Sequence, residues 1–290
     1  MDNVTVIKRK DISRPVMRQT VINGAEYLSF PAIEETGVVR HLMSTRLGGV
    51  SEGDLWSMNV SFSRGDKTEN VNENYRRIAA ALGCTPEDFV FSDQTHTTNI
   101  RHVTEADKGK GLLRPRDYTD VDGMITDEPG IVLSTFYADC VPLLFVDPIK
   151  RAVGLSHSGW KGTAGGMGRK TVEAMEKAFG SRPEDILVGI GPSICQDCYE
   201  VGEEVIAEFA AAFREEYHPA LFYKKENGKY QLDLWEANRI VLREAGVPET
   251  GISVTDICTH CNPELLFSHR TSADRRGNLC AFLCLKEEGR

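Results

Sequence analysis

The sequence predicts a mixed α/β protein folded as a single domain. Three observations carry this. Short apolar runs rich in branched and aromatic residues alternate along the chain with segments of helical periodicity. No stretch is rich enough in Pro, Gly or Ser to act as a linker, and no internal repeat or low-complexity segment occurs. With 290 residues, 41% hydrophobic and 27% charged, the chain can close a sizeable core.

In chain order, the first helix reads from Glu69 to Leu82: Val71, Tyr75, Ile78 and Leu82 share one face, and Gly83 stands where a helix ends. The runs "IVLSTFY" (131–137), "PLLFVD" (142–147) and "RAVGLS" (151–156) read as buried strands. A second helix is expected from Ala164 to Phe179, with Thr171, Met175 and Phe179 at i+4 steps before Gly180. "DILVGI" (185–190) is a further strand. Val205, Ile206, Phe209 and Phe213 form the stripe of a third helix. Asp233 and Glu236 read as a capping box for a fourth, which Leu234, Ala237 and Val241 line and Gly246 closes. "LCAFLCL" (279–285) is the last strand.

A net charge of −9, from 34 Lys+Arg against 43 Asp+Glu, argues against a broad nucleic-acid-binding face but leaves room for a small basic pocket. The start "MDNVTVIKRKDISRPVM" has no apolar run fit for a signal peptide, and no later run approaches a membrane span, which points to the cytoplasm. In that compartment the eight cysteines (84, 140, 195, 198, 258, 261, 280, 284) read as reduced thiols or metal ligands, not disulfides.

Three segments place a reactive residue at the edge of an apolar strand. In "GLSHSGWKGTAGG" (154–166), His157 is expected one residue past a strand, with Gly159, Gly162, Gly165 and Gly166 carrying a loop into a helix whose amides favour anions. "VFSDQTHTTNI" carries His96, and "STFYADCVPLLF" carries Cys140 between Asp139 and Pro142. Two His and one Cys can ligate Zn2+ with a fourth position open for water. The same residues serve equally as hydrogen-bonded histidines and a packed thiol, and their spacings of 44 and 17 match no local zinc motif. "CQDC" (195–198) and "CTHC" (258–261) pair as C-x-x-C, the signature of a structural zinc, but 60 residues apart. Structural zinc, redox dithiol and inert thiols all stay open for them.

"QTH", "ADCVPLLF", "HSGWKGTAGG", "GIGPSICQDCYEVGEEV", "DLWEANRIVL" and "CTHCNPELLFSHR", in this order, resemble the successive motifs of the YfiH/YlmD family, formerly the multicopper polyphenol oxidase (laccase) family. The likeness begins near residue 38, so residues 1–37 are expected to be a lead or edge strands and 38–290 the catalytic domain. The resemblance implies a layered α/β/β/α fold and a cytosolic enzyme of purine nucleosides and phosphate. Its reactions would be phosphorolysis of adenosine, inosine, guanosine or methylthioadenosine, with adenosine deamination at the same site. It further implies Zn2+ on His96, Cys140 and His157.

Such a zinc would acidify a water for attack on C6 of the purine, or polarise while phosphate attacks C1′ of the ribose. Arg46 and Arg64, beside glycine-containing loops, are candidate phosphate ligands. Asn59 is a candidate nucleoside contact. Asp139 could orient a ligand, move a proton or make a structural hydrogen bond, although a regular strand would point it away from Cys140. Trp160 reads as packing.

Two other classes compete. A copper phenol oxidase, as the older family name has it, needs about ten histidines for four coppers, and the chain has seven. A metal-independent amide hydrolase editing cell-wall peptide precursors would use Cys140 as nucleophile and His96 or His157 as base.

Overall fold

The structure is a computed structural model and describes residues 4–13 and 15–287. Its strands are β1 (Arg18–Ile22), β2 (Ala25–Ser29), β3 (Val39–Ser44), β4 (Phe89–Phe91), β5 (Ile100–His102), β6 (Gly123–Thr126), β7 (Val132–Tyr137), β8 (Val141–Asp147), β9 (Ala152–Ser158), β10 (Leu187–Ile190), β11 (Glu200–Val201), β12 (Phe222–Lys224), β13 (Tyr230–Leu232), β14 (Ile252–Val254) and β15 (Leu279–Leu285). The helices are α1 (Pro31–Glu34), α2 (Thr68–Leu82), α3 (Trp160–Ala164), α4 (Met167–Phe179), α5 (Glu203–Ala212), α6 (His218–Leu221), α7 (Leu234–Glu244) and α8 (His269–Ser272). One sheet runs β1-β2-β3-β15-β7-β4, a second runs β14-β10-β8-β9-β6-β5, and a small third runs β11-β13-β12. No helix among the described residues is long and apolar enough to cross a membrane.

Strand alternation builds four layers. In β15, Leu279, Ala281, Leu283 and Leu285 face the second sheet, whereas Cys280, Phe282 and Cys284 face α2, so both sides of the strand are buried. On that outer side Tyr75 of α2 sits edge-on to Phe89 and Phe91, and Phe89 sits edge-on to Phe282. Between the sheets, Leu133, Ala281 and Leu283 meet Leu144, Val146, Val153 and Leu155. Beyond the second sheet, Leu143, Phe145, Val188 and Ile190 pack on α4, α5 and α7. The order is therefore α/β/β/α, with β1 and β2 at an edge of the first sheet.

Two local expectations are corrected. The strand expected to end at Ser156 continues to Ser158, because its pairing with β8 persists to Val141 opposite Ser158; His157 lies inside the strand. The helix expected from Ala164 starts at Met167, because Gly166 turns left-handed at φ 73°, and the glycine loop expected before it holds the short helix α3. At α7 only half of the capping box forms. Asp233 accepts from the Glu236 amide at 2.9 Å, but the Glu236 carboxylate pairs with Arg239, and the Asp233 amide donates to Leu221.

Candidate functional site

His157 shares its side of β9 with Val153 and Leu155, so the alternation that fills the inter-sheet core carries its imidazole to the rim of that layer. Cys140 stands in the turn from β7 to β8 and packs against the same cluster. His96 arrives from the bend that leaves β4, with left-handed φ of 65°. Its Nε2 is 4.0 Å from the Cys140 Sγ, and its ring lies edge-on to that of His157 with centroids 4.9 Å apart. All three ligand atoms fall within 4.8 Å of one another.

Asp122, just before β6, organises this convergence. Its Oδ1 accepts from His157 Nδ1 at 2.7 Å and from the His96 amide at 3.2 Å. Its Oδ2 accepts from the amides of Thr95 and Thr97 at 3.0 and 2.9 Å. A left-handed histidine costs about 1–3 kcal/mol, and these bonds offset it. Burial opposes the Asp122 charge, but His157 and the Thr97 and Thr95 amides outweigh it and hold the carboxyl at about 2. The arrangement leaves His157 Nε2 facing Cys140, the carboxylate–histidine geometry that commonly supports a metal ligand. Sequence reasoning missed Asp122, since "DVDGMIT" offers no local pattern for it.

Burial alone would raise the Cys140 thiol, yet the charges and hydrogen bonds of His157 and His96 pull it down to about 6. Burial likewise opposes a charge on His157, but Cys140 and Asp122 raise it to about 9. Each of the two groups thus favours the charged form of the other. Gly159 leaves room for them: a Cβ there would stand 3.0 Å from His96 Cδ2 and 3.2 Å from Cys140 Sγ. The donor set fits zinc, as one thiolate and two imidazoles lie close enough to share an ion, and one of the imidazoles is oriented by a carboxylate.

A cleft of about 510 Å3 opens over the three residues. Arg64 lines it, as does Arg276, which sequence reasoning missed. The buried Nε atoms of both have no hydrogen-bond partner among the described residues. Burial, and then the charge of Arg64, lower Arg276 to about 10. Arg64 Nη1 pairs with Asp274 at 3.2 Å, and Arg276 Nη1 donates to the Gly277 carbonyl at 3.0 Å. Two guanidinium groups lining one cleft are suited to an oxyanion.

The other candidates are placed elsewhere. Arg46 donates to the carbonyls of Trp56 and Pro263, lies over Phe267, and lines a separate cavity of about 140 Å3. Asn59 is fully buried and spends its amide on Ser61, Asp66 and Asn278, shaping the loop that carries Arg64 instead of facing the cleft. Asp139, left-handed at φ 85°, stands in the turn between β7 and β8, and its carboxylate accepts from Thr259 Oγ1 at 2.5 Å and the Arg270 amide at 2.7 Å. That anchors the turn presenting Cys140. Trp160 is half-buried and packs against the core beneath the second sheet.

A family model described as multi-copper polyphenol oxidoreductase laccase matches residues 40–286. The purine nucleoside phosphorylase YlmD of Geobacillus stearothermophilus is 39% identical over 250 residues, covering 85% of this chain and 90% of that one. The purine nucleoside phosphorylase YlmD of Bacillus subtilis is 38% identical over 257 residues, 84% and 87% of the two chains. The crystal structure of Geobacillus stearothermophilus YlmD superposes with a TM-score of 0.86 at 36% identity, covering 94% of this chain and all of that one. That of Bacillus licheniformis YfiH gives 0.86 at 34% identity, covering 93% and 99%.

Proposed function

Because the chain belongs to the multi-copper polyphenol oxidoreductase laccase family, we propose that it is a zinc-dependent purine nucleoside phosphorylase, with adenosine deaminase activity at the same site. Adenosine, inosine, guanosine and methylthioadenosine are its proposed substrates. The catalytic unit is proposed to span residues 38–290 and to work in the cytoplasm. The observation that carries the reading is the carboxylate-oriented His96, Cys140 and His157 cluster opening on a cleft walled by Arg64 and Arg276.

Zinc held by these three residues would supply Lewis acidity and a water of lowered pKa. Asp122 keeps His157 Nδ1 protonated and its Nε2 free to ligate. Arg64 and Arg276, which line the cleft, hold phosphate by charge-assisted hydrogen bonds, next to the ribose. A phosphate oxygen bonds to C1′ as the C1′–N9 bond breaks; the base leaves with that electron pair and takes up the proton that the phosphate gives up. The products are nucleobase and ribose 1-phosphate.

Incubation with adenosine, with and without phosphate, tests this. Adenine and ribose 1-phosphate appearing only with phosphate support phosphorolysis, and inosine supports deamination. The absence of both products would overturn the reading. One observation favours a second reading, the amide hydrolase: Asp122, His157 and Cys140 also form an acid–imidazole–thiol array. Peptide-bond cleavage by fully metal-free protein would favour it.

A further inference from the structure

The 60-residue gap between the two C-x-x-C pairs closes in the fold. β10 and β14 are parallel neighbours, with Val188 opposite Ile252 and Ile190 opposite Val254. The loops that follow them leave the sheet side by side, and the Thr259 amide donates to the Ser193 carbonyl at 3.1 Å. The intervening chain, with α5, β13 and α7, is an excursion that begins and ends at one sheet edge. It brings Cys195, Cys198, Cys258 and Cys261 together with all four Sγ atoms within 4.8 Å of one another.

Their surroundings differ from those of packed thiols. Cys280 and Cys284 are buried singly, and each donates to a backbone carbonyl. The four clustered sulfurs face one another: Cys198 Sγ is 3.4 Å from Cys261 Sγ, and the Cys195 amide donates to Cys258 Sγ at 3.3 Å. No two are joined as a disulfide. With Zn–S bonds of about 2.3 Å, a tetrahedral site has sulfur–sulfur edges of about 3.8 Å, close to this spacing. Four thiolates around Zn2+ leave a net charge of −2; Arg270, which donates to the Cys198 carbonyl at 3.4 Å, and Lys10, which lies against Cys195 while pairing with Asp197 at 2.6 Å, bring positive charge to it.

We propose that Cys195, Cys198, Cys258 and Cys261 hold a second zinc ion, closed by four thiolates and structural in role. On binding, the four thiols release their protons to solvent. The ion ties together two loops that both grip Asp139: the Ile194 amide donates to its carbonyl at 3.1 Å, and Thr259 donates to its carboxylate. It thereby braces the turn that presents Cys140. It also secures the N-terminal strap, where Arg9 pairs with Asp256 and Lys8 donates to Asn262.

The test is zinc content with X-ray absorption at the zinc edge, on the full-length chain purified without added metal. The Cys140→Ala variant is expected to keep one zinc per chain with an all-sulfur shell, and the Cys195→Ser/Cys258→Ser variant to lose that shell. If the double variant does not fold, the Cys140→Ala protein decides alone. Cys140→Ala protein without zinc, zinc there with nitrogen ligands, iron in its place, or a disulfide within the cluster would each overturn the proposal. An all-sulfur zinc as the sole metal of the wild-type chain would support it while removing zinc from the proposed catalytic site.

Discussion

One turn of chain, with Cys140 on one side and the loops gripping Asp139 on the other, separates two cysteine clusters built in opposite ways. The first draws unlike donors from three distant segments, holds His96 in left-handed backbone, depends on Asp122 for orientation, and opens on a cleft. The second draws four identical donors from two short loops that leave neighbouring strands, and two of its thiols are fully buried. The contrast teaches that the number of donors and the openness of the site, more than the presence of cysteine, separate a cluster suited to chemistry from one suited to bracing.

The strongest way to break the comparison is Cys140→Ser. Losing an open-site ligand removes several kcal/mol of Lewis-acid stabilisation, so phosphorolysis should fall at least about 1000-fold. Unfolding should shift little. Steady-state kinetics beside a thermal melt checks both, and a collapse of the melt would make Cys140 as structural as the four clustered thiols. Asp122→Asn should weaken zinc binding at the open site about 10–100-fold, read by chelator competition, and leave the four-cysteine cluster untouched. Unchanged zinc affinity would reduce Asp122 to a fastener of the 95–97 bend.

Arg64→Ala should weaken phosphate binding by about 1.5–3 kcal/mol, the loss expected for a charge-assisted hydrogen bond, and change deamination far less. Arg46→Ala should leave phosphate dependence intact, since Arg46 faces another cavity. Phosphate dependence that survives Arg64→Ala would remove Arg64 from the anion site and make Arg276 the next residue to change.

The smallest effect belongs to neither cluster. His41 accepts from the Phe30 amide inside the first sheet, and burial lowers it from 6.5 to about 4. The unfolded chain therefore takes up a proton as pH drops below about 6.5 while the folded chain does not. Stability is full above that pH and declines toward pH 4, by about 1 kcal/mol between pH 7 and pH 5.5. His41→Gln should flatten this part of the acid limb in denaturant titrations. An unchanged slope would assign the limb to other groups, such as the carboxyls of Asp66, Asp107 and Asp122, where burial is outweighed by partners that hold them low.

Where a pattern is local, the sequence was legible. The apolar face of α2 and its terminal Gly83, the Asp233 cap of α7 and the two-sided burial of β15 all follow from residues a few positions apart. The motifs that picked out His96, Cys140 and His157 chose residues that the fold brings together. Arg46 and Asn59 were chosen for lying near such motifs, and a place in a loop does not set the direction of a side chain. Asp122 and Arg276 went unseen because their roles exist only through partners far away in the chain.

The sequence by itself determined the strongly patterned elements, strands β7–β10 and β15 and helices α2, α4, α5 and α7, and which chemical donors the chain carries, because side-chain periodicity and ligand type are properties of neighbouring residues. The tertiary structure decided which donors meet. The register of β8 against β9 carries His157 alongside the turn of Cys140, and the parallel pairing of β10 with β14 brings thiols 63 positions apart within reach of one ion. Those pairings are set by burial across whole sheets, a sum over many distant contacts that no short stretch of sequence contains.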